Sequence, residues 1–363
     1  PEAARTASAP LVPLDLTALA TREPQPKAFV LPRLAPAAEV TFFTGAGSAG
    51  KSLLGQQFAT ALAAGRRTLG LALEQGAAVY LTCEDEAEQL HWRQVQICRA
   101  LNVDMADLSG KLSLLSLRGQ PDNALAHFAP DGRLIQAPLF GRLSNLIRST
   151  GARLVVLDNV THFFTGNEND RYEVTAFVNL LNRVAGESGA AILLLGHTNK
   201  AGDSFSGSTA WLNAVRSQIS LTRPDEMDEE ARALTIGKTN YTKTGEALRF
   251  RWHNGAFVDE ADLPADQRAD LAHTIRETSA NSAFLRCLEA CTKAQRAVSH
   301  HPSANYAPTV FAKMPEGKGF DRKAFEGAFE RLLSLGKIAI DQPLWKRENR
   351  VWKRGIKAVD GRT

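Results

Sequence analysis

The segment Gly45-Ala46-Gly47-Ser48-Ala49-Gly50-Lys51-Ser52 satisfies the pattern G-x4-G-K-[ST] at every defined position. Its setting narrows the fold further. Val40-Thr41-Phe42-Phe43-Thr44 before it is expected as a buried strand, and residues 53–64, rich in Leu, Ala and Gln, as a helix. A strand–loop–helix of this kind wraps a phosphate, because glycines let the backbone turn tightly and the amides at the helix start point at the anion. Lys51 is expected to neutralise β and γ phosphates and the Ser52 hydroxyl to hold magnesium, so ATP and Mg2+ are the expected ligands.

Strands alternate with helices after the loop. Residues 79–82, 112–117, 154–157 and 191–195 are apolar strand candidates, separated by helical stretches at 88–101, 139–149 and 172–188. Asp131-Gly132 suits a tight hairpin turn. The alternation specifies an α/β chain with a mostly parallel sheet covered on both faces. Residues 218–222, 233–241 and 247–258 then show β alternation, with Asn254-Gly255 as a hairpin signal, and are expected as an antiparallel extension of the sheet.

The acidic, polar stretch 259–268 is expected as the exit from this domain. A helix over 274–294, a turn at His300-His301-Pro302-Ser303 and a helix over 321–335 follow, the last with Phe325, Phe329, Leu332 and Leu333 on one face. Residues 338–340 and 350–352 are expected to pair as a hairpin, which makes the C-terminus a small winged-helix-like module. Its end carries Lys346, Arg347, Arg350, Lys353, Arg354 and Lys357, interleaved with Trp345 and Trp352, the composition of a nucleic-acid surface. The expected organisation is an arm rich in Pro and Ala (1–28), a nucleotide-binding core (29–262), a linker (263–280), the winged-helix-like domain (281–357) and a tail (358–363).

Composition excludes more than it specifies. The net charge of +4 over 363 residues is mild and demands no polyanionic partner. Cys83, Cys98, Cys287 and Cys291 have no zinc spacing with histidines, and reduced, cytoplasmic thiols are expected. No apolar run approaches the ~18 residues of a membrane span, and the N-terminal stretch lacks a secretory core.

Three strand ends carry the remaining chemistry. Asp158 closes an apolar strand, where a carboxylate beside the phosphate loop holds magnesium directly or through water. Glu84-Asp85 follows the strand at 79–82, on the edge where open α/β sheets bind ligands. Glu84 is expected to orient and polarise the attacking water, with Asp85 the alternative. His197 also ends a strand and is expected to sense the γ phosphate. Lys200 after it could meet a phosphate of the nucleotide or of DNA. Arg216, in a stretch read as helical (211–216), is a candidate arginine finger toward a neighbouring subunit, and Lys238 and Lys243 are rivals for that role.

Together the phosphate loop, Thr82-Cys83-Glu84-Asp85, Leu154-Val155-Val156-Leu157-Asp158, the Gly196-His197-Thr198-Asn199-Lys200 segment and Asn213-Ala214-Val215-Arg216 resemble the RecA-like ATPases. Within them they resemble the RepA-like hexameric helicases of plasmids and phages. The resemblance covers roughly residues 29–258. It implies a RecA-like fold and a homohexameric ring that hydrolyses ATP between subunits and moves on single-stranded DNA, with replication proteins as further partners. It also implies Glu84 as catalytic base, Asp158 on magnesium, His197 as sensor and Arg216 as the finger in trans. The basic C-terminal module is additional to the smallest family members. The expected channel loops, near 163–171 and 201–209, are not strongly basic. A nucleotide-switched assembly or regulatory protein that contacts DNA without unwinding it is the alternative. A small-molecule kinase fits poorly, since no acceptor-site motif or lid is evident.

Overall fold

The computed structural model describes residues 11–197, 209–224, 228–241, 244–245, 247–263, 265–346 and 351–359. Thr198, Asn199, Lys200, the loop 201–208, Lys243, Arg347 and Arg350 lie outside them. Within the N-terminal arm, Asp15 caps a short, wholly exposed helix α1 (Leu16–Ala20) by accepting from the Thr17 and Ala18 amides. From Phe29 the chain joins the core. Strands β1 (Phe29–Leu31) and β2 (Ala35–Pro36) form a hairpin that buries Val30, Leu31, Leu34 and Ala35. Pro36 ends the hairpin's second strand, and Pro32 lies in the turn before it.

The core then runs β3 (Val40–Gly45), α2 (Lys51–Ala64), β4 (Ala78–Thr82), α3 (Ala87–Leu101) and β5 (Leu112–Ser116). A small hairpin, β6 (Ala126–Phe128) and β7 (Leu134–Gln136), turns at Asp131-Gly132. It leads into α4 (Pro138–Thr150), β8 (Leu154–Asp158), α5 (Val160–Phe163), α6 (Arg171–Ser188), β9 (Ala191–Leu195) and α7 (Thr209–Ala214). The core closes with β10 (Ser217–Thr222), β11 (Ala231–Thr239), β12 (Ala247–His253) and β13 (Ala256–Val258).

Nine of these strands form one sheet in the order β5-β4-β8-β9-β3-β10-β11-β12-β13. The first six are parallel, and β11 to β13 are antiparallel. This corrects one expectation: residues 218–222 pair parallel with β3, so the antiparallel extension begins at β11. The reason is the crossover through α7, which returns the chain to the starting edge of the sheet before β10 runs alongside β3. Asn254 and Gly255 have φ of 48° and 84°, the two positive values that a tight primed turn needs between β12 and β13.

Strands β3, β4, β8 and β9 are buried throughout, which explains their unbroken apolar sequences. One face packs Phe42, Leu81, Val155 and Leu194 against α4, α6 and α7, where Trp211 stacks on Phe42 at 5.4 Å. The other packs Phe43, Tyr80, Val156 and Leu193 against α2 and α3. Each face removes a large apolar area from water, the main term favouring the fold.

The C-terminal module contains α8 (Ala265–Lys293), α9 (Ala307–Phe311), α10 (Arg322–Ser334) and the hairpin of β14 (Ile338–Lys346) and β15 (Trp352–Ala358), the winged-helix order. Its core gathers Phe284, Phe311, Phe325, Leu332, Ile338 and Ile356. Phe325 and Leu332 are fully buried, while Phe329 and Leu333 pack at the rim. The stretch expected as linker is mostly helix: from Ala265 the chain continues without a break into the module, because no Gly or Pro interrupts residues 265–293. Among the described residues no helix is long and apolar enough to cross a membrane.

Candidate functional site

The parallel strands bring their carboxyl ends to one edge. Thr82 pairs with Asp158, Leu157 with Leu194, and Phe43 with Leu195. The phosphate loop, Glu84, Asp158 and His197 therefore emerge side by side. Gly45 lies hard against β10, where a Cβ would meet the Leu221 carbonyl at 2.7 Å. Ser48 and Gly50 take φ of 60° and 101°, and the helix starts at Lys51. The Lys51 ammonium turns inward, donating to the Gly45 carbonyl at 2.8 Å and the Ala46 carbonyl at 3.1 Å. Burial lowers its pKa, against the opposing pull of Asp158 and Glu84.

The antiparallel extension closes over the outside of this loop. The Phe257 ring sits on Gly50, and the Gln57 side chain holds the Phe257 backbone at both N–H (2.9 Å) and carbonyl (2.7 Å). Arg232 donates to the Ala49 carbonyl at 2.8 Å and Arg223 to the Ser48 carbonyl at 3.3 Å. Burial and then the neighbouring Arg223 charge lower the Arg232 pKa. Two guanidinium groups beside the loop raise the local positive potential where an anion would enter.

Asp158 is 2% exposed. It accepts from the Tyr80 hydroxyl at 2.5 Å and from the Ser52 side chain. Burial raises its pKa and these hydrogen bonds oppose the rise. A buried carboxylate beside a hydroxyl, with no salt bridge to it among the described residues, is a donor set that fits magnesium. Asn159 ties the neighbouring strand ends together. Its amide nitrogen donates to Glu84 Oε1 at 2.6 Å and lies 3.2 Å from His197 Nε2, while its oxygen accepts from the Thr161 amide at 3.0 Å. His197 Nδ1 is 3.3 Å from Lys51 Nζ. A neutral imidazole has one acceptor nitrogen, yet here both nitrogens face donors. Burial and then Lys51 push the His197 pKa below its ordinary value, which favours the neutral ring.

A family model described as an AAA domain matches residues 5–203. The chain belongs to this AAA-domain family of P-loop ATPases. The match takes in the phosphate loop, both carboxylate strand ends and His197. It stops before α7, so β10–β13, which close over the loop, and the C-terminal module lie beyond the matched AAA domain.

The structure sorts the candidate fingers. Arg216 is exposed, two residues past the end of α7 rather than inside the expected helix 211–216. Ser217 pairs with Thr41 and Leu221 with Gly45, so Arg216 lies at the opposite end of the sheet from its own phosphate loop. Five residues separate Arg216 from Leu221, about 16 Å along the strand at roughly 3.3 Å per residue. Lys238 is committed within its own chain, donating to the Leu212 and Val215 carbonyls at 2.6 and 2.8 Å at the end of α7. Asp85 is paired with Arg93 at 2.7 Å, whereas the Glu84 carboxylate is held at the sheet edge by Asn159.

Several site residues escaped the sequence reading: Tyr80, Arg93, Asn159, Arg223, Arg232 and Phe257. The one available signal was in α3, where Leu90, Arg93, Gln94 and Ile97 share the buried face. An arginine and a glutamine at core positions of an amphipathic helix need internal partners.

Proposed function

We propose that this AAA-domain ATPase hydrolyses ATP with Mg2+ at the interfaces of a homohexameric ring and acts as a RepA-like motor on single-stranded DNA. The supporting observation is the division of the site. Lys51, Ser52, Glu84, Asp158 and His197 converge at one sheet edge, while exposed Arg216 stands at the other end, away from its own phosphate loop. On this reading Gly45 to Ser52 wrap the phosphates with backbone amides, and Lys51 exchanges the Gly45 and Ala46 carbonyls for the β and γ oxygens. Glu84, aimed by Asn159, accepts the proton of the attacking water. Ser52 and Asp158 hold magnesium, which when bound neutralises charge on the β and γ phosphates. Once Lys51 engages phosphate, His197 loses its ammonium neighbour, which links nucleotide state to the chain beyond residue 197.

Hydrolysis measured with and without single-stranded DNA, with Lys51→Ala as control, tests this reading. Stimulation by DNA that Lys51→Ala abolishes, followed by displacement of a strand from a forked duplex, supports the motor. Hydrolysis indifferent to DNA refutes it. One observation favours the alternative of a nucleotide-switched DNA-binding assembly protein. The stretch 163–171, expected to line a channel, holds Glu168 and Asp170 against the single cation Arg171.

A further inference from the structure

Tyr80 lies at the centre of β4, fully buried among apolar neighbours on the α2/α3 face. A phenol hydroxyl placed there needs partners. It has two. It donates to Asp158 Oδ2 at 2.5 Å, and it lies 3.5 Å from Arg93 Nη1, the donor on its other side. Arg93 also donates to Gln56 Oε1 at 3.1 Å and, through Nη2, to Asp85 Oδ2 at 2.7 Å. Gln56 is fixed in turn by the Leu90 carbonyl and Gln94. The result is one continuous line, from half-buried Asp85 through buried Arg93, Tyr80 and Asp158 to half-buried Ser52. Its ends are the residue after Glu84 and the first turn of α2.

The geometry points to Tyr80 as a positioning residue for the magnesium-binding carboxylate, with Arg93 and Asp85 extending the constraint to the strand end that carries Glu84. The Tyr80 hydroxyl engages Oδ2 and fixes the carboxylate rotamer. Partners of metal-ligating carboxylates that act this way contribute to affinity without touching the ion.

The inference rests on reading Asp158 as a metal ligand, and the experiment tests the two claims separately. Mn2+ is titrated into the ADP-bound full chain and free ion is counted by electron paramagnetic resonance. ADP affinity without metal is measured alongside, and folding is checked by circular dichroism. Asp158→Asn should abolish tight Mn2+ binding; if it does not, the ligand reading itself fails. Tyr80→Phe should weaken Mn2+ by about tenfold or more while metal-free ADP affinity stays within about twofold. Loss of Mn2+ affinity at unchanged metal-free ADP affinity is the split that a purely structural hydroxyl would not give. Parental Mn2+ affinity in folded Tyr80→Phe, with Asp158→Asn defective, overturns the inference. Should Tyr80→Phe not fold, Arg93→Gln cuts the same line from its outer side. Weakened Mn2+ binding then supports the assignment, and parental binding overturns it.

Discussion

Gly50→Ala should be among the most damaging single-methyl additions in this protein. Two costs meet at that position. Gly50 has φ of 101°, where any side chain strains the backbone by about 1–2 kcal/mol. A Cβ there would also lie 2.5 Å from Phe257 Cζ and 3.0 Å from Cε2. The ring cannot back away cheaply, since Gln57 pins the Phe257 backbone at 2.9 and 2.7 Å. Overpacking of this kind costs about 1–3 kcal/mol. The sum, about 2–5 kcal/mol, corresponds to a fall of at least about 4 °C in Tm for a domain of this size. Phe257→Leu removes the clashing atom and by itself should cost about 1–2 kcal/mol. The double variant should then be more stable than the sum of the singles by about 1–3 kcal/mol. Thermal melts of the four proteins without nucleotide, with ADP affinity measured on each, provide the test. Additive losses would refute the contact between Phe257 and the loop, and an unchanged Tm in Gly50→Ala would refute both terms.

Arg251 is forked onto Asp228 at 2.5 and 3.0 Å, with Glu230 at 3.1 Å, so Arg251→Met should destabilise the core by about 3–5 kcal/mol in urea unfolding. Burial alone would raise the Asp228 carboxyl, but Arg251 overrides it and holds the folded pKa below the ordinary value. That stabilisation is complete above the unfolded pKa of about 4 and is lost as pH falls through the folded value, so parent and Asp228→Asn melts should converge in strong acid. All four cysteines are free and buried, and burial pushes the Cys83 thiol up to about 12. A thiol reagent at pH 7.5 should therefore label the native chain at almost none of the four sites it labels in denaturant. If Arg216 acts in trans, mixing hydrolysis-defective Lys51→Ala and Arg216→Ala subunits should restore turnover; mixtures as inactive as either parent would refute it.

How much was legible depends on how local each cause is. The phosphate loop, the acid ending β8 and the histidine two residues past β9 were readable because a strand end and the residues just after it are close along the chain. A buried parallel strand must also be apolar along its whole length, so β4, β8 and β9 declared themselves. The α8 start was misplaced because a polar, acidic opening resembles an exit loop, although the absence of Gly and Pro lets the helix run on. Residues 218–222 were placed in the antiparallel extension because a strand's alternation carries no information about its partner's direction.

The amino-acid sequence by itself determined the phosphate-binding turn, the α/β alternation and the order of chemistry-bearing strand ends, since each follows from residues within a few positions of one another. Only the tertiary structure decided that Tyr80 meets Asp158 across 78 residues, that Phe257 closes on the loop through Gln57 across 200, and that Arg216 lies at the opposite end of the sheet from its own phosphate loop. These depend on sheet order and register. Both are selected by the simultaneous burial of two faces, a property of the assembled sheet that no short window of sequence contains.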